Sequence, residues 1–393
     1  MIDLPTPRVR RALRGELSTA AGVSDDGPLV DSFGRVHRDL RISLTDKCNL
    51  RCTYCMPAEG VPLAPRDTLL ASDEIVTVAR IAVEAGIDEI RLTGGEPLLR
   101  PDIVDLVERL AALEGPGGRP ELSMTTNAVR LAQLAKPLRD AGLARLNVSL
   151  DTLSPSRFAT MTRRDRLDDV MAGLDAARAA GFAPIKINTV LLRGVNDDEA
   201  PALLDWALAE GHELRFIEQM PLDGGHVWNR AEMVTAAETL DLLRRTHSLD
   251  ALPGRGAAPA ELYEVDGGPG RVGIIASVTM PFCGACDRLR LTSDGQLRSC
   301  LFARGETDVR SVLRSGGADA DVRARIRACL AGKQPGHGID EPGFLQPPRP
   351  MSAIGGLAID GAPRSGSRVG AHVGARLALR GAGASSRLPR PAD

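Results

Sequence analysis

Seven cysteines are spread over 393 residues, and six of them fall into two tight groups: Cys48, Cys52 and Cys55, then Cys283, Cys286 and Cys300. Clustered thiols in a long chain point to metal or redox chemistry, whereas disulfide frameworks belong to short, cysteine-dense secreted chains. The first group, C-x3-C-x2-C, places three thiolates within eight residues. A CxxC pair alone is compatible with zinc or with dithiol redox chemistry. Three thiolates on one loop fit three irons of a [4Fe–4S] cube and leave the fourth iron open. The second group, C-x2-C-x13-C, again offers three thiolates. None of the six histidines (His37, His212, His226, His247, His337, His372) is local to it, so zinc there needs a distant histidine or the isolated Cys329. A lone cysteine is more often a small buried residue. Within this group, Asp287-Arg288-Leu289-Arg290-Leu291 read as a strand puts both guanidiniums on one face, beside the thiols. Such a pair suits a triphosphate through planar bidentate donors, and the alternative is a solvent-facing stripe in an arginine-rich chain.

The elements that must position these groups follow from the periodicity. Residues 39–45 alternate with period two and run straight into the first cysteine group, which therefore sits on the loop after a strand. Ser72 is placed to cap a helix with Ile75, Ala79, Ala82 and Val83 on one face and Gly86 at its end. A second strand, 87–93, stops at Gly94-Gly95; Pro101 suits the first turn of a helix whose stripe is Ile103, Leu106, Val107 and Leu110. Strand patterns recur at 121–126, 144–150, 183–191 and 213–218, with helical patterns at 130–141, 166–180 and 198–209, the first interrupted by Pro137. Six strands alternating with helices predict a parallel α/β sheet with right-handed crossovers. Periodicity leaves a partial barrel and an open doubly wound sheet equally open, but either gathers ligands at the C-terminal strand ends. Beyond residue 220 the rhythm breaks: 232–248 read as helix, 251–270 are Gly/Pro-rich, and 271–279 form a strand leading into the second group.

Composition narrows the function. A net charge of −2 argues against a bulk nucleic-acid binder, and no run of apolar residues reaches membrane-spanning length. Arg8, Arg10, Arg11 and Arg14 lie in a segment without a signal-peptide core, so a cytoplasmic protein with a loose N-terminal tail is expected. Only four of the 49 basic residues are lysines: Lys47, Lys136, Lys186 and Lys333. Lys186 stands out within an otherwise apolar IKIN strand, where the bland reading is a snorkelling edge lysine.

Tyr54 just before the third cysteine, and Gly94-Gly95-Glu96-Pro97 after the second strand, resemble the radical S-adenosylmethionine (SAM) superfamily. Together with TTN, NVSLD, GVNDDE, RFIEQM, CGACDRLRLTSDGQLRSCLF and MSAIGG, in this order, the chain from 35 to 356 resembles the MoaA family, the GTP 3′,8-cyclases of molybdenum cofactor biosynthesis. The resemblance implies an incomplete (α/β)6 TIM-like barrel with a C-terminal region carrying a second Fe–S cluster. The implied division is a disordered segment 1–35, a partial barrel 36–220, a C-terminal region 221–356, and a low-complexity extension 357–393. Implied cofactors are SAM and two [4Fe–4S] clusters, held by Cys48, Cys52 and Cys55 and by Cys283, Cys286 and Cys300. SAM contacts would be Tyr54, Gly95, Ser149 and Met220, with Gly94 and Glu96 in support. GTP contacts would be Arg41, Arg91, Thr125, Lys186, Arg288, Leu289 and Arg290, of which Arg41, Arg288 and Arg290 are the candidate catalytic groups. The family also implies a homodimer, an electron donor of unspecified identity and a downstream pterin synthase, with neither membrane nor nucleic acid as partner.

One departure is plain. The family chain typically ends at the Gly-Gly that is here Gly355-Gly356, a tail thought to assist catalysis, whereas this sequence continues for 37 residues. Two rival readings remain at this point. A peptide-modifying radical SAM enzyme with an auxiliary cluster would carry more C-terminal cysteines. A non-catalytic Fe–S or zinc module would leave the GGEP segment unexplained.

Overall fold

The structure, a computed structural model, describes residues 27–354. Expectations for residues 1–26, for Gly355-Gly356 and for the extension lie outside the described residues. Six strands, β1 (Asp39–Ser43), β2 (Glu89–Thr93), β3 (Glu121–Thr126), β4 (Arg145–Ser149), β5 (Lys186–Val190) and β6 (Glu213–Ile217), pair parallel in chain order. The crossovers are α1 (Ser72–Glu84), α2 (Ile103–Ala111), α3 (Leu131–Asp140), α4 (Pro155–Thr162) with α5 (Leu167–Ala179), and α6 (Ala200–Ala209). After α7 (Ala236–Leu243) come β7 (Leu249–Ala251), β8 (Glu261–Val265) and β9 (Arg271–Ile275), then β10 (Arg288–Leu291), β11 (Gln296–Arg298) and β12 (Thr307–Asp308). The chain continues through α8 (Arg310–Arg314) and α9 (Asp319–Ala331).

The sheet grows at both ends. β10 joins parallel beside β1, with Arg290 opposite Arg41, and β9 joins parallel beside β6, with Ile274 opposite Phe216. The outermost strands, β12 and β7, are not paired to each other, so the sheet stays open. Its outward residues, such as Leu146 and Val148 of β4, are buried with the helix stripes, while Asn147 and Ser149 line a shared interior cavity. A sheet whose strands from β1 to β6 and β10 all line one cavity is a partial barrel.

Several local readings need correction. Ser72 is the first residue of α1 and not its cap; Ala71 holds that place, its N–H donating to the Glu74 carboxylate at 2.8 Å, while the Ser72 hydroxyl donates to Asp102. Gly86 does follow α1, with φ +101°. Pro101 lies just outside α2, immediately before its N-cap Asp102. Pro137 is accommodated inside α3, where both it and Gln133, whose carbonyl loses its partner, face solvent. The helix placed at 232–248 is confined to 236–243. Thr235 and Glu238 fix its start by a reciprocal box, Glu238 N–H to Thr235 Oγ1 at 3.2 Å and Thr235 N–H to the Glu238 carboxylate at 2.9 Å. The Gly/Pro-rich stretch 251–270 contains a hairpin strand, β8, that buries Tyr263 and Val265.

The segment expected to be irregular up to residue 35 is packed from residue 27 onward. Leu29 is fully buried, and the Asp31 carboxylate accepts from the Phe33 and Arg35 N–H groups, from Arg35 Nε, and pairs with His37. Arg35 in turn donates to the Cys283 carbonyl at 2.7 Å and the Gln334 carbonyl at 2.9 Å. Cys329 is buried on the apolar stripe of α9 with Val322, Ile326 and Leu330.

Candidate active site

The cavity at the C-terminal ends of the strands has a volume of about 410 Å³, and all six clustered cysteines line it. The first triad sits on the loop after β1. Cys55 and Met56 N–H groups both donate to the Cys52 carbonyl, closing the turn, and the Arg51 guanidinium caps the Cys48 carbonyl at 2.6 Å. Arg163, at the end of α4, braces the loop from outside through the Arg51 and Met56 carbonyls.

The two glycines after β2 are required by packing. A Cβ on Gly95 would lie 2.2 Å from the Lys47 carbonyl oxygen, and one on Gly94, at φ +144°, 2.5 Å from that of Thr45. They let this turn press against the cysteine loop, so their function extends beyond an approach to ligand. Glu96 is buried and turned away from the cavity. Its carboxylate accepts from Leu98 N–H, Thr126 Oγ1 and Asn127 N–H, and burial pushes it up to about 7. Thus anchored, Asn127 donates Nδ2 to Asn49 at 2.7 Å and to Cys48 Sγ at 3.8 Å. Tyr54 donates to Asp151 at 2.7 Å, and the other Asp151 oxygen accepts from Val190 N–H at 2.9 Å.

Around the second triad, Phe302 N–H donates to Cys300 Sγ at 3.5 Å, and Cys286 Sγ accepts from Arg288 Nη1 and Lys333 Nζ, each at 3.5 Å. Burial pushes the thiols of Cys48, Cys52, Cys55 and Cys283 up, Cys55 to about 12. Cys286 is the exception: burial opposes its ionisation, but Lys333 and Arg288 outweigh it and bring the thiol below its ordinary value. All six thiols are free of disulfides. Thiolates on one cavity, each triad touched by N–H donors, are the ligand chemistry of iron–sulfur clusters, and the residues fit two of them.

Between the triads lies a belt of guanidiniums. Arg290, Arg41 and Arg91 stand abreast on β10, β1 and β2, and Arg215 and Arg288 line the same cavity. Buried Asp39 sits among them, 3.2 Å from Arg41 and 3.7 Å from Arg288. Burial and mutual repulsion push Arg91 and Arg290 down to about 9, so both stay cationic at neutral pH. Nε of Arg288 and Nε of Arg290 are buried without a hydrogen-bond partner. Cationic donors so arranged suit a polyanion with many acceptor oxygens.

Of the residues singled out from the sequence, Tyr54, Gly95, Ser149, Met220, Arg41, Arg91, Thr125, Arg288 and Arg290 all line this cavity. Two do not. Lys186 shares the inward face of β5 with Asn188 and Val190 but lies nearer the strand's N-terminal end. The Leu289 side chain is fully buried in the core, with Leu40 opposite it on β1. Sequence reasoning passed over Asn127, Asn147, Asp151, Asn188, Arg215 and Lys333. Asn147 and Asn188 share strand parity with the inward Ser149 and Val190, which was the available signal.

Fold and site together define a radical SAM enzyme: residues 42–207 match the Radical SAM superfamily, and residues 212–339 match Molybdenum Cofactor Synthesis C. The chain is 58% identical over 331 residues to a GTP 3′,8-cyclase of Streptomyces coelicolor, spanning 84% of this chain and 96% of that one. It is 52% identical over 360 residues to a GTP 3′,8-cyclase of Mycolicibacterium smegmatis, spanning 90% and 99%. This chain belongs to the GTP 3′,8-cyclase family. The crystal structure of Streptococcus suis SuiB shares the fold, with a TM-score of 0.51 at 15% identity over 75% of this chain and 69% of that one. Among the described residues no helix is long and apolar enough to cross a membrane.

Proposed function

We propose that the cavity between the two cysteine triads is where this radical SAM enzyme converts GTP to (8S)-3′,8-cyclo-7,8-dihydroguanosine 5′-triphosphate, with the arginine belt as the triphosphate clamp. The observation that carries this reading is the placement of both triads and five arginines on one cavity. When bound, the first cluster and SAM supply a 5′-deoxyadenosyl radical, and the second cluster an open iron for guanine. The protein's own task is geometric. Arg41, Arg91, Arg288 and Arg290, with Thr125 and the main chain at Leu289, hold the nucleotide so that ribose C3′ stays within reach of guanine C8, while Lys186, just outside the cavity lining, adds its charge beside Arg215 and Arg91. Tyr54, Gly95, Ser149 and Met220 would hold SAM in the same cavity. The buried surroundings keep water from a reactive carbon centre. The expected products are methionine, 5′-deoxyadenosine and the cyclised nucleotide, the first intermediate of molybdenum cofactor biosynthesis.

The same reading carries an electron donor, a pterin synthase that receives the product, a homodimer and a cytoplasmic setting. The division near residue 220 is supported by the change of matched family between 207 and 212. The test is an anaerobic assay of iron-reconstituted, reduced protein with SAM and GTP, quantifying 5′-deoxyadenosine and cyclised nucleotide by mass spectrometry. Both products together are expected; SAM cleavage without cyclised nucleotide would overturn the substrate, and no cleavage at full iron occupancy would overturn the enzyme.

Two further outcomes follow from the geometry. Tyr54→Phe removes a hydrogen bond to a buried carboxylate, an interaction of about 1.5–3 kcal/mol for a charged partner. The bond is present without SAM, so its loss should appear as a lower denaturant midpoint of the reconstituted protein. Lys186 is pushed down to about 8, first by burial and then by Arg215, with Arg145 and Arg91 adding and Glu213 opposing. Its ammonium is present below pH 8 and lost above, so GTP binding should weaken as pH rises through 8, by at most about tenfold per unit. Lys186→Met should abolish that step in a pH series of dissociation constants.

A further inference from the structure

Lys333 follows α9 and is only 3% exposed, although an isolated ammonium is costly to bury. Its Nζ donates to the Arg288 carbonyl at 2.7 Å and to Cys286 Sγ at 3.5 Å. The surrounding strap is fixed from the other end of the chain: Arg35 joins the Cys283 carbonyl to those of Gln334 and Pro335, and Asp31 holds Arg35. Residues 31–35 and 333–335 thus clamp the second cysteine loop from behind. The clamp aims one buried cation at one ligand sulfur. Arg288, the other donor to that sulfur, also faces the nucleotide cavity; Lys333 does not line it.

We infer that Lys333 is a positioning residue for the second cluster, its ammonium fixing the Cys286 thiolate and raising the cluster's reduction potential through an N–H···S bond. This rests on the reading of the second triad as a [4Fe–4S] site. A fixed positive charge stabilises the more negative, reduced state, and donors to cluster sulfurs are a recognised lever on potential. Removing it therefore lowers the potential of that cluster and leaves the first where it was.

The test is an EPR-monitored redox titration of the reconstituted enzyme, using GTP to mark the second cluster's signal and SAM to mark the first. In K333M the midpoint of the GTP-sensitive signal should fall while that of the SAM-sensitive signal stays, with iron near eight per chain in both proteins. K333R should recover most of the shift. Unmoved midpoints at full iron would overturn the inference, as would equal loss of second-site iron in K333M and K333R, which marks a merely structural residue. Wild-type protein holding only about four irons would overturn the cluster reading itself.

Discussion

Arg288→Ala is expected to weaken GTP binding by about two orders of magnitude or more while SAM binding persists. Arg288 is 5% exposed, and its guanidinium is the near neighbour of Asp39 and Cys286. Truncation removes a desolvated cation from the clamp and leaves Asp39, still paired with Arg41, with one cation fewer beside it. Losing one side of such a buried charge pair costs about 2–5 kcal/mol, at about 1.4 kcal/mol per tenfold. Equilibrium dialysis of labelled GTP against the reconstituted variant measures it. Lys333 still donates to Cys286, so iron content should be retained. Wild-type affinity in this variant would remove Arg288 from the clamp.

Glu218→Ala should be among the most destabilising single changes in the chain. Glu218 directly follows β6 and is 4% exposed. Its carboxylate accepts from Ala236 N–H at the start of α7, from Val278 and Thr279 N–H, each at 2.8 Å, and from Thr279 Oγ1 at 2.5 Å. One side chain therefore ties the last barrel strand to α7 and to the exit of β9, just before the second cysteine group. Removing it orphans three backbone donors at about 1–3 kcal/mol each, so a loss of about 3 kcal/mol or more is expected. The denaturant midpoint of the cluster-loaded protein should drop accordingly, with Glu218→Gln intermediate. A midpoint within error of wild type would show that water replaces the carboxylate.

The parallel half of the fold could be read directly because its strands are buried on alternating faces and its helices carry clean stripes. β3 runs from Glu121 to Thr126, as the pattern indicates, and the α2 stripe is buried at all four named positions. The C-terminal region was harder for a physical reason: its strands are two to five residues long, and the two that extend the barrel, β9 and β10, take their barrel partners, β6 and β1, from far along the chain. Nothing local in RLRL says that it pairs with β1. The stripe of α9, Val322, Ile326, Cys329 and Leu330, has helical spacing and was legible but passed over. At the site, the six clustered cysteines and the paired arginines of RLRL declare themselves by type and spacing. Asn127 and Asp151 line the cavity as well, Asn127 touching Cys48 Sγ, yet they carry no such mark, because an asparagine or aspartate after a strand is equally at home in a turn. Leu289 shows the limit from the other side: a motif position beside two arginines, yet its side chain serves the core.

The pairing of β10 with β1 also dictates an order of assembly. About 250 residues separate the partners, so as the chain leaves the ribosome β1 waits with an unpaired edge until residues 288–291 have been made. β6 likewise presents an open edge until β9 is made. A nascent chain stopped near residue 220 would therefore expose two bare parallel strand edges, the condition that invites strand-to-strand association between copies. The C-terminal region is accordingly a built-in cover for the partial barrel during folding, and the first triad's strand gains its second neighbour only when β10, on the strand after Cys286, has arrived.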